Sequence, residues 1–284
     1  MNKYKIRDII LIILIIIGIF FYYNKPNTTN KKLVNKDFSI HFIDIDEGDS
    51  MIINSNGEYI LIDTGKYEFK DKLLKYINDL GIEEFKYVIG THAHEDHIGT
   101  MPTIIRNYKV DRFLMPSCEV NNVSYTLTKK ELNKRNITYE VPNIDDEYIL
   151  NDTKLKVISI SDNCDELNDT SIVLKVTYKN NSFLLTGDAT KNVELNILDK
   201  DLKSDLLKVS HHGSNDASSA QFLNKVKPEY AIIQVGKDND YHHPHHVTLQ
   251  KLEKINTKIF RTDLNGNIIA YSDGNNIRIK TEKE

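Results

Sequence analysis

Four potential metal ligands stand within six consecutive residues of this chain, and this cluster restricts the fold more than any other feature. The segment reads Thr91-His92-Ala93-His94-Glu95-Asp96-His97. If residues 87–91 form a strand, the two-residue period places the first three ligands on one side, and the fourth turns inward as the next helix begins. Imidazole and carboxylate groups suit a divalent ion such as zinc, manganese or iron. The cluster therefore predicts a metal site at the end of a strand.

Local patterns predict mixed sheets covered by helices. Asn56-Gly57 stands between two strand-like runs, 51–54 and 58–62, and indicates a β-hairpin. Apolar residues at helical spacing predict a helix from about residue 69 that ends at Gly81. Further strands are predicted over 38–45, 85–91, 171–178, 182–186, 206–210, 231–235, 258–261, 267–272 and 277–280, and further helices over 190–198 and 247–255. This mixture, with hairpins at both ends, favours mixed sheets over a purely parallel doubly wound sheet.

An apolar run near the start of the chain predicts a membrane anchor. Residues 9–23 are isoleucine, leucine, phenylalanine and tyrosine with one glycine, and as a helix they would extend roughly 22 Å, near the short limit for a span. Three basic residues precede the run, so the positive-inside rule keeps residues 1–8 cytoplasmic and places the chain after the run outside the cell membrane. Residues 24–36 are polar and form the expected tether. A cleaved signal peptide is the alternative, but no small-residue cleavage pattern follows Phe20.

The rest of the chain, residues 37–284, contains no internal repeat and no second linker, so we expect one monomeric domain. The formal net charge of −4 is unevenly distributed. Residues 1–36 carry seven basic side chains against Asp8, which is +6 and leaves −10 for the domain. An acidic domain lacks the basic excess that usually neutralises nucleic-acid phosphates, so a phosphate-bearing substrate would need bound metal or a local basic patch.

The two cysteines give little information about the fold. Cys118 and Cys164 stand at no metal-ligand spacing. Outside the membrane they could pair, but the sequence does not show whether their Cβ atoms approach one another. We therefore expect two unpaired cysteines with a structural role.

Several motifs resemble those of one hydrolase superfamily. His92-x-His94-x-Asp96-His97 resembles the H-x-H-x-D-H signature of metallo-β-lactamase-fold hydrolases. Residues 61–65 (Leu-Ile-Asp-Thr-Gly) and 184–188 (Leu-Leu-Thr-Gly-Asp) are similar to the early-aspartate and bridging-aspartate motifs of that superfamily. Residues 42–50, 207–214 and 243–245 are similar to segments of the hydrolase domain of the ComEC family of competence DNA-uptake proteins. The resemblance spans nearly all of residues 39–273 and implies an α+β fold, the four-layer αββα metallo-β-lactamase sandwich, following the single transmembrane helix.

The resemblance implies a site for two divalent ions, Zn²⁺ or Mn²⁺. Two cations about 3.5 to 4 Å apart share a hydroxide and clamp both the attacking and the leaving oxygens of a displacement. The implied ligands are His92 and His94 for the first ion, Asp96 and His97 for the second, Asp188 as a bridge between both, and His211 to complete the second site. Asp96 and Asp188 are therefore the expected catalytic carboxylates, although an isolated Gly-Asp is also an ordinary start for a helix.

Two groups of residues are expected around these ligands. Asp63 would accept a hydrogen bond from a ligand histidine, and Asp49 would lie nearby or contact the substrate. His211 and His212 cannot both point the same way from a strand end, so we expect His211 to bind metal and His212 to face the substrate. The alternative role for Asp63 is simple turn chemistry with Gly65.

A second histidine cluster, residues 241–246, is expected beside the site. The resemblance implies that His243 or His245 holds a phosphate oxygen or protonates a leaving group, and we assign the acid to His245. An adventitious surface chelator is the alternative for this run.

The sequence departs from the superfamily pattern at two places. No histidine occurs between residues 98 and 187, where the superfamily usually supplies a third histidine to the first ion; Asn168 and Asp169 stand at the corresponding place. The first ion is then weakly bound, or the enzyme uses one metal. Glu47 stands where the relatives tend to carry glutamine, and it would either sharpen metal dependence or repel an anionic substrate.

Two classes of function follow. The first is a membrane-anchored, outward-facing, metal-dependent hydrolase of phosphodiesters, with DNA the substrate that the resemblance suggests and a phosphocholine-type ester of the cell envelope the alternative. The second is a non-catalytic accessory protein that has kept the fold. A channel needs many membrane spans, so a separate membrane channel would transport DNA. Phosphate-binding glycine loops and serine-triad motifs are not found in the sequence.

Overall fold

This computed structural model describes residues 37–284 of the chain, which contain fifteen strands and eight α-helices. The strands are β1 (Phe38–Phe42), β2 (Met51–Ser55), β3 (Glu58–Ile62), β4 (Glu84–Ile89), β5 (Lys109–Leu114), β6 (Tyr139–Glu140), β7 (Glu147–Leu150), β8 (Thr153–Ser159), β9 (Val173–Tyr178), β10 (Asn181–Leu185), β11 (Leu206–Lys208), β12 (Tyr230–Ile233), β13 (Lys258–Arg261), β14 (Ile268–Ser272) and β15 (Ile277–Thr281). The helices are α1 (Lys70–Asp79), α2 (Glu95–Ile98), α3 (Met101–Asn107), α4 (Val123–Arg135), α5 (Lys191–Asn196), α6 (Ala220–Val226), α7 (His246–Lys254) and α8 (Thr262–Asn265).

The strands form two mixed sheets. One has the order β15-β14-β1-β2-β3-β4-β5-β6 and the other the order β13-β12-β11-β10-β9-β8-β7. Each sheet combines an antiparallel part with a run of four parallel strands, β3 to β6 in the first and β10 to β13 in the second. Residues that follow parallel strands emerge at one edge of a sheet, where functional groups from separate segments meet.

Alternating side chains divide the interior into three apolar layers. In β2, Met51 and Ile53 pack between the sheets, whereas Ile52 faces α1 and α3 on the outside. In β10, Phe183 lies between the sheets and Leu184 packs against α5 and α6. The two-residue period of the strands thus supplies both faces of each sheet, and the helices cover the outer faces. This is the expected αββα arrangement.

Several predicted elements are confirmed. The Asn56-Gly57 hairpin joins β2 and β3 in an antiparallel pair, and α1 ends just before Gly81, which has a left-handed backbone with φ of 69°. The predicted anchor (9–23), its cytoplasmic stub and its tether fall in residues 1–36, outside the described part of the chain. Within residues 37–284, no helix has the length and apolar character needed to span a membrane.

Candidate metal centre

The parallel strands of both sheets deliver polar residues to one edge of the sandwich. Asp63 follows β3, and the His92 to His97 segment follows β4. From the second sheet, Asp188 follows β10, and His211 and His212 follow β11. Segments that are up to about half the chain apart in sequence therefore meet at the same place.

Four side chains converge closely enough to share one ion. The ligand atoms of Asp96, His97, Asp188 and His212 all lie within 4.8 Å of one another. Oδ2 of Asp188 is 3.1 Å from Nε2 of His97 and 3.4 Å from Nε2 of His212. Nε2 of His212 is also 3.3 Å from Oδ2 of Asp96. The four side chains thus form a closed group around the Asp188 carboxylate.

The donor atoms of this group fit a divalent cation. Nε2 of His97, Nε2 of His212 and Oδ1 of Asp188 are buried, yet none of them makes a well-formed hydrogen bond within the described part of the chain. Buried polar atoms rarely stay without a partner, because the cost of desolvation is then not offset. Two imidazole nitrogens and two carboxylates are ligands for zinc or manganese. The residues that would hold the ion are therefore Asp96, His97, Asp188 and His212.

The electrostatics of the group also favour a cation. Burial alone would lower the pKa of His212, but the carboxylates of Asp188 and Asp96 raise it to about 10. Burial opposes ionisation of Asp188, but His97 and His212 hold its pKa well below the usual range. A positive charge between these side chains is strongly stabilised, and a metal ion supplies such a charge as well as a proton does.

His92 and His94 form a neighbouring pair. Nε2 of His92 lies 3.0 Å from Nδ1 of His94 and 4.0 Å from Oδ2 of Asp188. Burial, followed by the nearby His97, lowers the pKa of His92 well below its ordinary value, so this imidazole is neutral, the form that binds metal. The structure brings together the two residues expected to hold a first ion, next to the group of four.

The path of the chain through the cluster differs from the extended segment predicted for it. β4 ends at Ile89, and His94 is still extended, with φ of −77° and ψ of 152°. The short helix α2 begins at Glu95, so Asp96 lies in its first turn and His97 one residue further. The two-residue period therefore does not extend to Asp96, which the helical turn brings to the site.

The structure places His212, and not the predicted ligand His211, among the four converging side chains. Only His212 belongs to the closed group, whereas Nε2 of His211 lies 4.0 Å from Asp188 and its Nδ1 pairs with Asp216 at 3.1 Å. Both histidines have left-handed backbones, with φ of 47° and 51°, in a tight 3-10 turn. Such backbone is costly for residues other than glycine, by about 1 to 3 kcal/mol, and is typical of functional sites. The turn sends His212 inward and leaves His211 at the cavity wall.

Asp63 fixes the orientation of His97 from behind. Oδ2 of Asp63 lies 2.9 Å from Nδ1 of His97, and both side chains are fully buried. The same carboxylate accepts hydrogen bonds from the backbone N–H and the hydroxyl of Thr91, at 2.8 and 2.7 Å. The contact expected between Asp63 and a ligand histidine is present, and it directs Nε2 of His97 toward Asp188.

A cavity of about 350 Å³ opens above the four converging side chains. Its lining residues are Glu47, Lys66, His94, Glu95, Asp96, Asn168, Asp188, His211, His212, Tyr241 and His243. Asn168 and His243 thus lie where contact with a substrate was expected. The predicted acid, His245, is not part of the lining; its Nδ1 accepts a hydrogen bond from the backbone N–H of Asn215 at 3.0 Å. His243 lies at the cavity instead.

The two cysteines are joined, contrary to the expectation that they are unpaired. Cys118 and Cys164 form a disulfide with their Cα atoms 5.6 Å apart. The bond ties the segment after β5 to the loop that leads into Asn168 at the cavity. The two cysteines are 46 positions apart in the sequence, and this spacing gave no sign that they approach one another.

Buried Lys208 is a residue that the sequence reasoning missed. Its side chain is fully buried and pairs with the equally buried Asp49, which was expected near the ligands. The sequence did contain a signal for this ion pair, because a lysine within an otherwise apolar strand needs a buried counter-ion.

A comparison with protein families agrees with this geometry. Residues 43–120, which include Asp63 and the His92 to His97 cluster, match the family described as the metallo-beta-lactamase superfamily. This match and the two mixed sheets with their outer helices together support a metallo-beta-lactamase fold for the described part of the chain. The metallo-beta-lactamase fold protein YhfI from Bacillus subtilis has the same fold, with a TM-score of 0.57 and 10% identity over 86% of this chain and 100% of that protein.

The curated proteins that this chain resembles include competence proteins. It is 30% identical over 250 residues to ComE operon protein 3 of Bacillus subtilis, a match that covers 81% of this chain and 32% of the relative. It is 27% identical over 247 residues to Recombination protein 2 of Haemophilus influenzae, covering 84% of this chain and 29% of that protein. The chain therefore spans about a third of the length of these relatives.

Proposed function

We propose that the chain is a metal-dependent phosphodiesterase that cleaves DNA, acting at the cavity above Asp188. The observation that carries the proposal is the convergence of Asp96, His97, Asp188 and His212 at the base of that cavity. When bound, a divalent ion polarises a phosphoryl oxygen and lowers the pKa of water toward neutrality. Members of the metallo-beta-lactamase superfamily are usually hydrolases, which supports a hydrolytic reaction.

The cavity wall offers one side chain that suits an anionic ester. Lys66 is the sole lysine or arginine among the lining residues of the described chain, and its Nζ lies 3.7 Å from Oε2 of Glu47. This distance is longer than a hydrogen bond, so the ammonium group can turn to a phosphodiester anion without losing a strong partner. Lys66 would hold the phosphoryl group over the converging side chains.

His243 would contact the ester from the opposite wall. Its ring packs 6.2 Å from that of His212, and its buried Nδ1 has no hydrogen-bond partner among residues 37–284. Burial, reinforced by His212 and His211, lowers the pKa of His243 to about 4, so the ring is neutral at pH 7. A neutral imidazole orients a substrate oxygen or a water molecule through a hydrogen bond, so His243, rather than His245, takes the position beside the leaving group.

We also propose that the domain lies outside the cell membrane, held by the apolar run at residues 9–23. The Cys118–Cys164 disulfide supports this placement, because structural disulfides persist in oxidising compartments and are rare in the cytosol. The resemblance to ComEC proteins favours DNA as the substrate, and a separate membrane channel would transport it. A phosphocholine-type ester of the cell envelope is the second candidate, since the acidic domain and the glutamates of the cavity wall weaken attraction of a long polyanion.

The proposal is tested with a substrate panel for the purified full chain, with and without Mn²⁺ or Zn²⁺. The panel contains single-stranded and duplex DNA, bis(p-nitrophenyl) phosphate, a phosphocholine ester, a lactone and a β-lactam. We expect metal-dependent cleavage of DNA and of the model diester, and loss of at least a thousandfold in rate in Asp96→Ala and Asp188→Ala. The exposed Glu229→Gln variant is the matched control.

Each other outcome of the panel has a defined meaning. Turnover of the phosphocholine ester alone would transfer the proposal to the cell-envelope substrate. Turnover of the lactone or the β-lactam alone would refute phosphodiester hydrolysis. Inactivity throughout, together with absence of bound metal, would indicate an accessory protein that has kept the fold.

A further inference from the structure

A lysine and an aspartate form an ion pair that is wholly enclosed beneath the candidate metal centre. Lys208 and Asp49 have no exposed side-chain surface, and Nζ of the lysine contacts Oδ2 of the aspartate directly. Enclosing two charges is expensive even when they are paired, and an apolar pair of similar volume is often as stable or more stable. The fold therefore does not need this pair for stability alone, and its contacts indicate another role.

Both members of the pair reach toward the metal-binding group. Nζ of Lys208 donates to the carbonyl oxygen of Gly187 at 3.3 Å, and Gly187 directly precedes Asp188. Oδ1 of Asp49 lies 3.5 Å from Nδ1 of His212. The backbone N–H of Asp49 donates to the carbonyl oxygen of Asp96 at 3.1 Å. The pair thus touches all three segments that carry the four converging ligand atoms.

We propose that Lys208 and Asp49 are positioning residues of the metal centre, which hold Asp188 and His212 in the arrangement that binds a divalent ion. The proposal rests on the metal site and not on the identity of the substrate. Neither residue would contact the ion or the substrate.

The tautomer of His212 shows how Asp49 acts. Nδ1 of His212 lies 2.9 Å from the carbonyl oxygen of Gln234, which can only accept, so the proton sits on Nδ1 and the lone pair on Nε2. The Asp49 carboxylate beside Nδ1 stabilises that N–H and makes Nε2 a stronger donor to a metal ion. Lys208 neutralises Asp49, so the group of carboxylates around the centre does not accumulate a further uncompensated charge.

A double-variant experiment separates positioning from mere charge balance. In the purified full chain, Lys208→Met or Asp49→Asn alone leaves one buried charge unpaired, and we expect the melting temperature to fall in each. Combining the two substitutions removes both charges, and we expect the melting temperature to return to within a few degrees of the wild type. The matched control is the exposed pair Lys258 and Glu229, whose Lys258→Met variant should behave as the wild type.

Metal affinity is the deciding readout, and it does not depend on any substrate. We expect the double variant to bind Zn²⁺ at least tenfold more weakly than the wild type in a competition titration, and to show an altered visible absorption spectrum with Co²⁺. A double variant with wild-type stability and wild-type metal affinity would overturn the proposal. If the double variant does not fold, the single variant Asp49→Asn decides. Zn²⁺ affinity at least tenfold below that of the wild type supports the proposal, and wild-type affinity refutes it.

Discussion

Nδ1 of His97 and Oδ2 of Asp63 lie 2.9 Å apart in a completely buried contact, and this contact links the segments that follow the neighbouring strands β3 and β4 of one sheet. Burial raises the pKa of Asp63 and the charge of His97 opposes that rise. Because Nδ1 is committed to Asp63, Nε2 of His97 is the nitrogen that faces Asp188. A change at Asp63 should therefore act on metal binding through the orientation and tautomer of His97.

We predict that Asp63→Asn weakens Zn²⁺ binding by roughly 10- to 100-fold. With its oxygen retained on the backbone N–H of Thr91, the new amide group would present N–H to Nδ1 of His97 and push the proton to Nε2, where it blocks the ion. The measurement is a competition titration of the full chain with a metal indicator. Asp205→Asn is the matched control, because Asp205 accepts hydrogen bonds from the backbone and hydroxyl of Ser182 away from the site. Equal affinities in the two variants would contradict the role of Asp63.

The placement of the two adjacent histidines gives a second prediction. We expect His212→Ala to lose the ion held with Asp96 and His97, because Nε2 of His212 belongs to the closed group of ligand atoms. We expect His211→Ala to retain that ion, because its Nδ1 is bound to Asp216 and its Nε2 lies farther out. Metal content per chain, measured after dialysis, distinguishes the two. Loss of the ion in His211→Ala alone would restore the assignment made from the sequence.

Buried His41 predicts how stability depends on pH. Its ring hydrogen-bonds with Tyr76 and Ser39 at 2.8 and 2.9 Å, and burial lowers its pKa from 6.5 to about 4. Between these pH values the unfolded chain binds more protons than the folded chain, so stability falls as the pH is lowered from 6.5 to 4. The full effect is about 3 kcal/mol at 1.36 kcal/mol per pKa unit.

The variant His41→Gln should lose the contribution of His41 to the pH dependence of stability. We expect its free energy of unfolding, measured with urea in the presence of a chelator, to fall by about 2 kcal/mol less than that of the wild type between pH 7 and pH 5. The exposed His246→Gln variant should keep the wild-type dependence. Identical pH slopes in all three proteins would refute the contribution of His41.

The glutamate in the cavity wall gives a prediction about substrate binding. Burial raises the pKa of Glu47 despite the nearby Lys66, and its carboxyl lies where an anionic ester would enter. In Glu47→Gln we expect the KM for bis(p-nitrophenyl) phosphate at pH 8 to fall roughly three- to tenfold, which corresponds to about 1 kcal/mol of relieved repulsion. The kcat should change little. Exposed Glu68→Gln is the control, and a raised KM in Glu47→Gln would indicate that Glu47 assists binding.

The elements of the fold that could be predicted are those specified by short sequence patterns. The hairpin at Asn56-Gly57 and the helix end at Gly81 depend on glycine at left-handed positions, which the sequence displays directly. The ligands Asp96, His97 and Asp188 were predictable because their motifs are short and continuous. Their meeting point follows from the parallel strands that precede them.

Three other features of the structure had no short sequence pattern from which they could be predicted. Helix α4 (Val123–Arg135) was not predicted, because it buries Thr128 and Glu131 and exposes Val123, so its apolar residues do not trace one face. The left-handed turn at His211 and His212 is enforced by packing and not by glycine at either position. The Cys118–Cys164 bond depends on a tertiary approach that spacing does not encode.

Anomalous diffraction from crystals of the chain grown with Zn²⁺, recorded on both sides of the zinc absorption edge, would show directly whether the converging side chains bind a metal ion. We expect a peak within coordinating distance of Nε2 of His97, Nε2 of His212 and the Asp188 carboxylate, and no such peak in Asp188→Ala crystals. A wild-type structure with no zinc peak at these atoms, or with zinc bound only at the exposed histidines near residue 242, would contradict this expectation.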